Sequence, residues 1–385
     1  VEAASVWRRP VVDESRRDEL AEQQANAAIA LHQLTGDQNL WSLLGSYPDP
    51  RRRATLIARM ADYGVGAVQL LEQLDRSAEP MQRQALMLGL AEFDSDSLAV
   101  DAREQLFARN VELFTTDPDP GVHAAAEFVL RRGGRQSSID DANDRLAGSI
   151  ESGRSWHVDH HGHTLAIVQG PLEFRMGSQR HTRGRDDFLE VLHSRRIDRS
   201  IAAALHEVTV EQFRKFKADF GYSIAESPQP DCPINSTTWY DAARYCRWLS
   251  EAEHVPEDQM CYPPVDQIVP GMRLPSNHLD RTGYRLPTEA EWEYLCRSGT
   301  RTERSFGQTE TLLDRYAWTI ANSVENGIYR TWPVGSKLPN DFDMLGNMLE
   351  WCDDPFVPAA DFEHGRPIGD LPHRTSVENS DRRNI

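Results

Sequence analysis

Between about Asp18 and Arg132 the apolar residues recur three and four positions apart, with almost none of the every-second-residue alternation of strands. The pattern predicts a run of amphipathic helices. Three segments share one design: Pro50-RRRATLIARMADYG, Pro80-MQRQALMLGLAEFD and Pro120-GVHAAAEFVLRRGG. Each opens on a proline that suits the first helical position, where the missing N–H would be unpaired anyway. An acid precedes each proline (Asp49, Glu79, Asp119) and complements the positive end of the helix dipole. Arg53 and Arg83 follow their prolines by three residues, and Met60, Leu90 and Leu130 follow by ten.

The proline spacings of 30 and then 40 residues suit helix-pair repeats of the HEAT type, in which each unit buries its apolar face against the next. A surface for protein partners is one reading of such a stack, and a plain spacer is the other. Residues Gly133 to Arg154 turn polar and rich in Gly and Ser, which predicts a linker.

From Trp156 onward the pattern changes to short strands. Trp156 and Val158 alternate, then Leu165 and Ile167, with His160-His161-Gly162 as the turn between them, and Phe174-RMGS reads as a further strand. Three capping boxes then announce helix starts: Thr209-VEQ, Thr238-WYD and Thr288-EAE. The remainder is rich in loops.

Composition narrows the function classes. The chain has 385 residues, 42 basic against 60 acidic, for a net charge of −18. Nucleic-acid binding needs a basic face, so that charge argues against it. No run approaches the ~18 apolar residues of a membrane span. No secretory leader is visible after Val1. The compartment stays open between the cytoplasm and the soluble part of a larger multidomain protein. Five cysteines, Cys232, Cys246, Cys261, Cys296 and Cys352, form no CxxC pair, which disfavours a zinc knuckle or thioredoxin-type site. His157, His160, His161 and His163 crowd one predicted turn without convergent carboxylates beyond Asp159, and read as a polar turn rather than a metal site. His206-Glu207 lacks the second histidine of a zincin helix. Glu289, Glu291 and Glu293 read as capping and solvating a helix start.

The motifs Phe174-RMGS, His206-EVTVEQFRKF, Thr238-WYDAARYCRWLSE, Tyr284-RLPTEAEWEYLCRSGT, Trp332-PVGS and Leu345-GNMLEW follow one another in an order that resembles the sulfatase-modifying-factor (formylglycine-generating enzyme) family. The resemblance covers about residues 155–354. It implies a modified C-type-lectin-like fold, α+β and loop-rich, incomplete at its C-terminus and preceded by the all-α HEAT-like stack. The opening also resembles multidomain bacterial members that follow protein kinase modules. The division expected is an N-terminal extension (1–17), a HEAT-like repeat domain (18–135), a linker (136–154) and a truncated sulfatase-modifying-factor-like domain (155–385).

Enzymes of that family oxidise a sulfatase cysteine to formylglycine with copper and oxygen, through a cysteine pair after an Arg-Gly-Gly-Ser strand. This sequence has no such strand, so the resemblance carries no catalytic residue onto it, and copper is expected only if a C-terminal continuation supplies a cysteine pair. It does imply a structural calcium site. The ligands would be Asp343 and Glu350 through carboxylates and Gly346 and Met348 through carbonyls, with Asn322 as a candidate for a second site. Hard oxygen donors around a tight Gly-Asn turn suit calcium's 6–8 ligand shell. Two departures stand against it: Pro339-NDFDMLGN is about three residues shorter than the family segment, and Leu349 replaces the usual tryptophan. The alternatives to a family oxidase are a protein- or glycan-binding scaffold and, behind it, a non-haem-iron sulfoxide-synthase-like protein. The last would need a histidine-rich helical domain, whereas the helical half holds His32 and His123. The expected partner is a protein, sulfatase-like or engaged through the helical repeats, with no nucleic acid.

Overall fold

The computed structural model describes residues 14–45, 48–180, 182, 185–186, 190–340, 342, 344–355 and the backbone of 382–384. The amphipathic stretch forms eight helices in succession: α1 (Glu14–Thr35), α2 (Asn39–Ser42), α3 (Arg51–Arg59), α4 (Ala67–Arg76), α5 (Pro80–Leu90), α6 (Val100–Thr116), α7 (Pro120–Arg132) and α8 (Gln136–Leu146). The acids before Pro80 and Pro120 act as caps, whereas α3 starts one residue later than expected, with Pro50 at its N-cap and no side-chain cap bond. Glu79 accepts the Gln82 N–H and Asp119 accepts the Val122 N–H, filling donors that a helix start leaves orphaned.

The arginine three residues into each unit ties that unit to the next. Arg53 donates to the Leu44 carbonyl before its own helix, and to the Met81 carbonyl and Gln84 of α5. Arg83 repeats the arrangement with the Ser77 and Ala78 carbonyls and Asp117. In the third unit the position is His123. Its ring is fully buried, takes the Phe114 carbonyl at 2.7 Å and lies 3.8 Å from the Trp156 ring.

The polar stretch after Gly133 departs from the linker expectation, because it contains α8. Ile139, Ala142 and Leu146 fall on one face of that helix and are buried. Three apolar residues at helical spacing suffice where tertiary packing supplies the stability.

Downstream, β1 (Trp156–Val158), β2 (Thr164–Val168) and β5 (Ile201–Ala204) form an antiparallel sheet in the order β1-β2-β5, with Trp156 opposite Ala166 and Leu165 opposite Ala204. Strands β3 (Leu172–Met176) and β4 (His193–Ile197) pair separately. Helices α9 (Val210–Phe216), α10 (Trp239–Ala252) and α11 (Glu289–Arg297) each start at a capping box, on Thr209, Thr238 and Thr288. The short α12 (Leu313–Tyr316) precedes the hairpin of β6 (Val324–Glu325) and β7 (Ile328–Tyr329). Finally β8 (Trp351–Pro355) pairs with β9 (Arg382–Asn384).

The two halves share one core. Phe306, Leu312, Tyr316 and Leu338 belong to the same buried apolar cluster as Leu56, Leu88, Phe114 and Leu130 of the helices. Polar ties flank it. Glu127 of α7, 4% exposed, accepts from Arg131 at 2.7 Å and meets His206 at 3.1 Å. Trp156 donates to the Asp117 carbonyl at 2.8 Å, and Arg315 pairs with Glu92. Among the described residues, no helix is long and apolar enough to cross a membrane.

Candidate functional site

Two of the sequence motifs meet at the Leu345-Gly346-Asn347 turn. Gly346 and Asn347 both have positive φ (+83° and +63°), a conformation that glycine adopts freely and asparagine tolerates. The turn lies flat against Trp318: Gly346 bridges it in parallel, and the Asn347 N–H donates to its carbonyl at 2.8 Å. The Asn347 amide then behaves like a strand. It accepts the Trp332 N–H at 2.9 Å and donates to the Trp332 carbonyl at 3.0 Å. Held in this way, Trp318 and Trp332 stack at 4.5 Å with 12° between planes. Lys337 sits 3.7 Å over Trp318 and Arg330 4.9 Å over Trp332, both within cation–π range. Desolvation lowers the Lys337 pKa despite the nearby Asp314 charge.

The expected calcium ligands distribute around this turn. The Gly346 carbonyl accepts the Met348 N–H at 2.8 Å, and the Glu350 carboxylate takes the Trp292 indole N–H at 2.5 Å. Asn322 lies on the loop after α12. Its amide is engaged by the Thr319 N–H at 2.6 Å, and donates to Asp314 and the Ala317 carbonyl. Asp343 lies outside the described residues. Among the described residues no group of three or more His, Cys, Asp or Glu side chains converges. The described donors therefore supply one carboxylate and two carbonyls of a shell that needs 6–8 oxygens.

The Arg285-LPTEAEWEY segment builds a buried charge network rather than a solvated cap. Glu291, 1% exposed, receives two bonds from Arg285 at 2.7 and 2.8 Å and another from Arg199 at 2.7 Å. It also closes the capping box through the Thr288 N–H at 2.8 Å. Burial alone would raise its pKa, but the Arg285 and Arg199 charges hold it at about 2. Glu293 accepts from Arg297 and from the Gly177 N–H at 2.7 Å, anchoring the end of the Phe174-RMGS strand.

Two further buried networks escaped the sequence reading. His278 and Asp353, both fully buried, meet at 2.7 Å, and Tyr262 donates to the other Asp353 oxygen at 2.9 Å. The histidine cluster contributes a second. His163 bridges Asp159 and Tyr245 at 2.9 Å each, while Tyr284 donates to Asp159 at 3.1 Å. The first had no local signal, since its members are 75 and 91 residues apart. In the second, the Asp159–His163 spacing of four was visible but its tyrosines were not.

None of the five cysteines is joined in a disulfide. Burial pushes Cys246 up to about 12 and Cys261 up to about 11, and raises Cys232 and Cys296 as well. Cys261 donates to the Gly283 carbonyl at 3.1 Å and Cys296 to the Met344 carbonyl at 3.3 Å. A reactive cysteine needs the opposite shift, toward thiolate at neutral pH.

The family model for the sulfatase-modifying factor enzyme 1-like domain matches residues 157–372, more than half of the chain. The Chaperone protein LppX of Paenibacillus barcinonensis is 29% identical over 175 residues, 38% of this chain and 59% of that protein. The formylglycine-generating enzyme of Streptomyces coelicolor is 30% identical over 142 residues, 34% of this chain and 35% of the enzyme. The solved structure of PvdO from Pseudomonas aeruginosa aligns over 58% of this chain and 89% of its own, at 22% identity and a TM-score of 0.39. The chain thus spans from 35% to 59% of the length of these two curated relatives.

Proposed function

We propose, from the premise that this chain belongs to the sulfatase-modifying factor enzyme 1-like family, that it engages a protein substrate in the manner of that family while none of its own five thiols carries out cysteine oxidation. The observation that supports this is the state of the thiols. None is joined in a disulfide, and burial holds Cys232, Cys246, Cys261 and Cys296 protonated. The sulfatase-like partner comes from the description of the family, a sulfatase-modifying factor. A binding role without chemistry is the second reading, and a relative is named as a chaperone.

The test is to incubate the chain with a CxPxR peptide, copper and oxygen, and to measure aldehyde with a hydrazide probe. Peptide retention without aldehyde is the expected result. Aldehyde formation that disappears when any of the five cysteines becomes serine would overturn the proposal.

The helical repeats read as HEAT-like because Arg53 and Arg83 link successive units in the same way. The downstream domain reads as lectin-like because loops and short strands dominate it. The expected divisions at 17 and 154 stand within this proposal, with the helix Gln136–Leu146 counted in the helical stack. Calcium would be held by Asp343, Glu350 and the Gly346 and Met348 carbonyls, with Asn322 as the second-site candidate, and would stiffen the Trp318–Trp332 turn. A bound ion must raise the melting temperature by linkage. An unchanged melt at millimolar calcium removes it from the proposal.

A further inference from the structure

Helix α7 is an element through which the helical stack meets the family domain, and its contact residues share one face. Ala124 packs with Ala166, Leu205, Leu295 and Phe342 of that domain. Glu127 meets His206 at 3.1 Å. His123, one turn before Glu127, meets the first strand. Its ring stacks on Phe114 of α6 at 4.2 Å and lies 3.8 Å from the Trp156 ring of β1. All three rings are fully buried.

This site accepts the imidazole in one protonation state. Nδ1 meets the Phe114 carbonyl at 2.7 Å and so carries the single proton of the neutral ring, while Nε2 is buried with no hydrogen-bond partner. A second proton would place an unpaired N–H and a positive charge at Nε2, and both are costly to bury. The facing charges divide. Glu127 favours the proton, whereas His206 and Arg154, which sits 4.4 Å over the Trp156 ring, oppose it. Burial outweighs them all and lowers the His123 pKa to about 4. On the surrounding helices, the buried polar residue of α6 is the neutral Asn110, and Arg83 of α5 is paired with Asp117 at 2.9 Å. The charged residues of α8, Asp140, Asp141, Asp144 and Arg145, are exposed.

The sequence marks the same position. Arg53 and Arg83 stand three residues after the prolines of the first two units and link unit to unit. Both are permanent cations. In the third unit, where the stack meets a different fold, His123 takes that place with a side chain that changes charge between pH 5 and 8 when unperturbed.

We propose that His123 is an acid-sensitive latch on this seam: its neutral ring holds Trp156 and the first strand against α7, and a proton on Nε2 releases them. The contribution of a histidine kept neutral by burial is fully present above the ordinary value of 6.5 and is lost as pH falls from there to about 4. Between pH 7.5 and 5.0 that linkage multiplies the open-to-docked ratio about thirtyfold. The proposal does not depend on the thiols or on the protein-substrate reading.

The test uses the full chain and hydroxyl-radical footprinting at pH 7.5 and 5.0, with oxidation read residue by residue by mass spectrometry. Trp156 is 1% exposed and reports the seam, while Trp41, 6% exposed inside the helical stack, reports general unfolding. Oxidation of Trp156 should rise by about the linkage factor at pH 5.0, and that of Trp41 should not. Two variants remove the titrating group. His123→Phe keeps an aromatic ring in the stack, and His123→Gln keeps a donor for the Phe114 carbonyl, so a folding failure of one leaves the other to decide. In either, Trp156 oxidation should be nearly the same at both pH values. No rise at Trp156 in the parent, an equal rise at Trp41, or a parent-like rise in the folded variants would overturn the proposal.

Discussion

Replacing Gly346 by alanine tests whether the Gly-Asn turn is the clamp of the tryptophan pair. At φ +83° an L-residue costs about 1 kcal/mol in backbone strain. The new Cβ would also lie 2.2 Å from the Trp318 carbonyl oxygen and 3.0 Å from its carbon. Both are backbone atoms, so no side chain can swing away and the two segments must part. Separation breaks the 2.8 Å bond from Asn347 to Trp318 and loosens the two bonds that Asn347 and Trp332 exchange. At ~1 kcal/mol net for the bond lost and about half that for each one loosened, the sum with the strain is about 3 kcal/mol.

For a folded unit of this size, that corresponds to a fall in melting temperature of about 6–12 °C. Scanning calorimetry measures the fall, and near-ultraviolet circular dichroism follows the stacked indoles. Gly36→Ala is the internal control. Its φ is +72° and nothing lies within 4 Å of the added Cβ, so it carries the strain without the clash, about 1 kcal/mol. Equal shifts for the two substitutions would refute the clamp.

Three other expectations follow from the same geometry. Glu127→Gln leaves Arg131 and His206 without their carboxylate at the seam, and denaturant melts should show a loss on the order of 3 kcal/mol; a loss below ~1 kcal/mol would mean that solvent reaches the pair. Burial, with the Asp353 charge adding to it, raises Asp354 to about 7 even though it accepts the Glu289 N–H. Its contribution is therefore fully present below pH 3.8 and is lost as pH rises through about 7. Asp354→Asn should gain melting temperature over the parent at pH 8 and little at pH 4, and an equal gain at both would contradict the assignment. Finally, a thiol reagent at neutral pH should label almost none of the five cysteines in the native chain and all five after denaturation. Rapid native labelling of Cys246 or Cys261 would show that burial does not control their reactivity.

Much of the local architecture was legible because its causes are local. The acid–proline pairs and the Thr-x-x-Glu, Gln or Asp boxes name their own hydrogen-bond partners within three residues, and the structure shows those bonds at Glu79, Asp119, Thr209, Thr238 and Thr288. The membership of the second half was equally legible, since ordered motifs carried it and the family model matches there. What escaped depends on distant meetings. Glu291 was read as a solvated cap because the sequence around it cannot show that Arg199, 92 residues away, will bury it. The helix Gln136–Leu146 hides in a polar stretch because three inward residues support it only once α6 and α7 lie beneath them. The Trp318–Trp332 stack and the shared core around Phe306 and Tyr316 leave no periodic trace.

That shared core has a consequence for how the protein is made. The helical face that shares a core with Phe306, Tyr316 and Leu338 includes Leu56 and Leu88, and it leaves the ribosome roughly 250 residues before those partners do. At ~5–20 residues per second, the interval is about 12–50 s. During that time the helices can form their caps and arginine links, but part of their apolar surface waits for chain not yet synthesised. A nascent chain stalled short of Phe306 should bind a hydrophobic dye or recruit a holding chaperone. One stalled well past Leu338 should not.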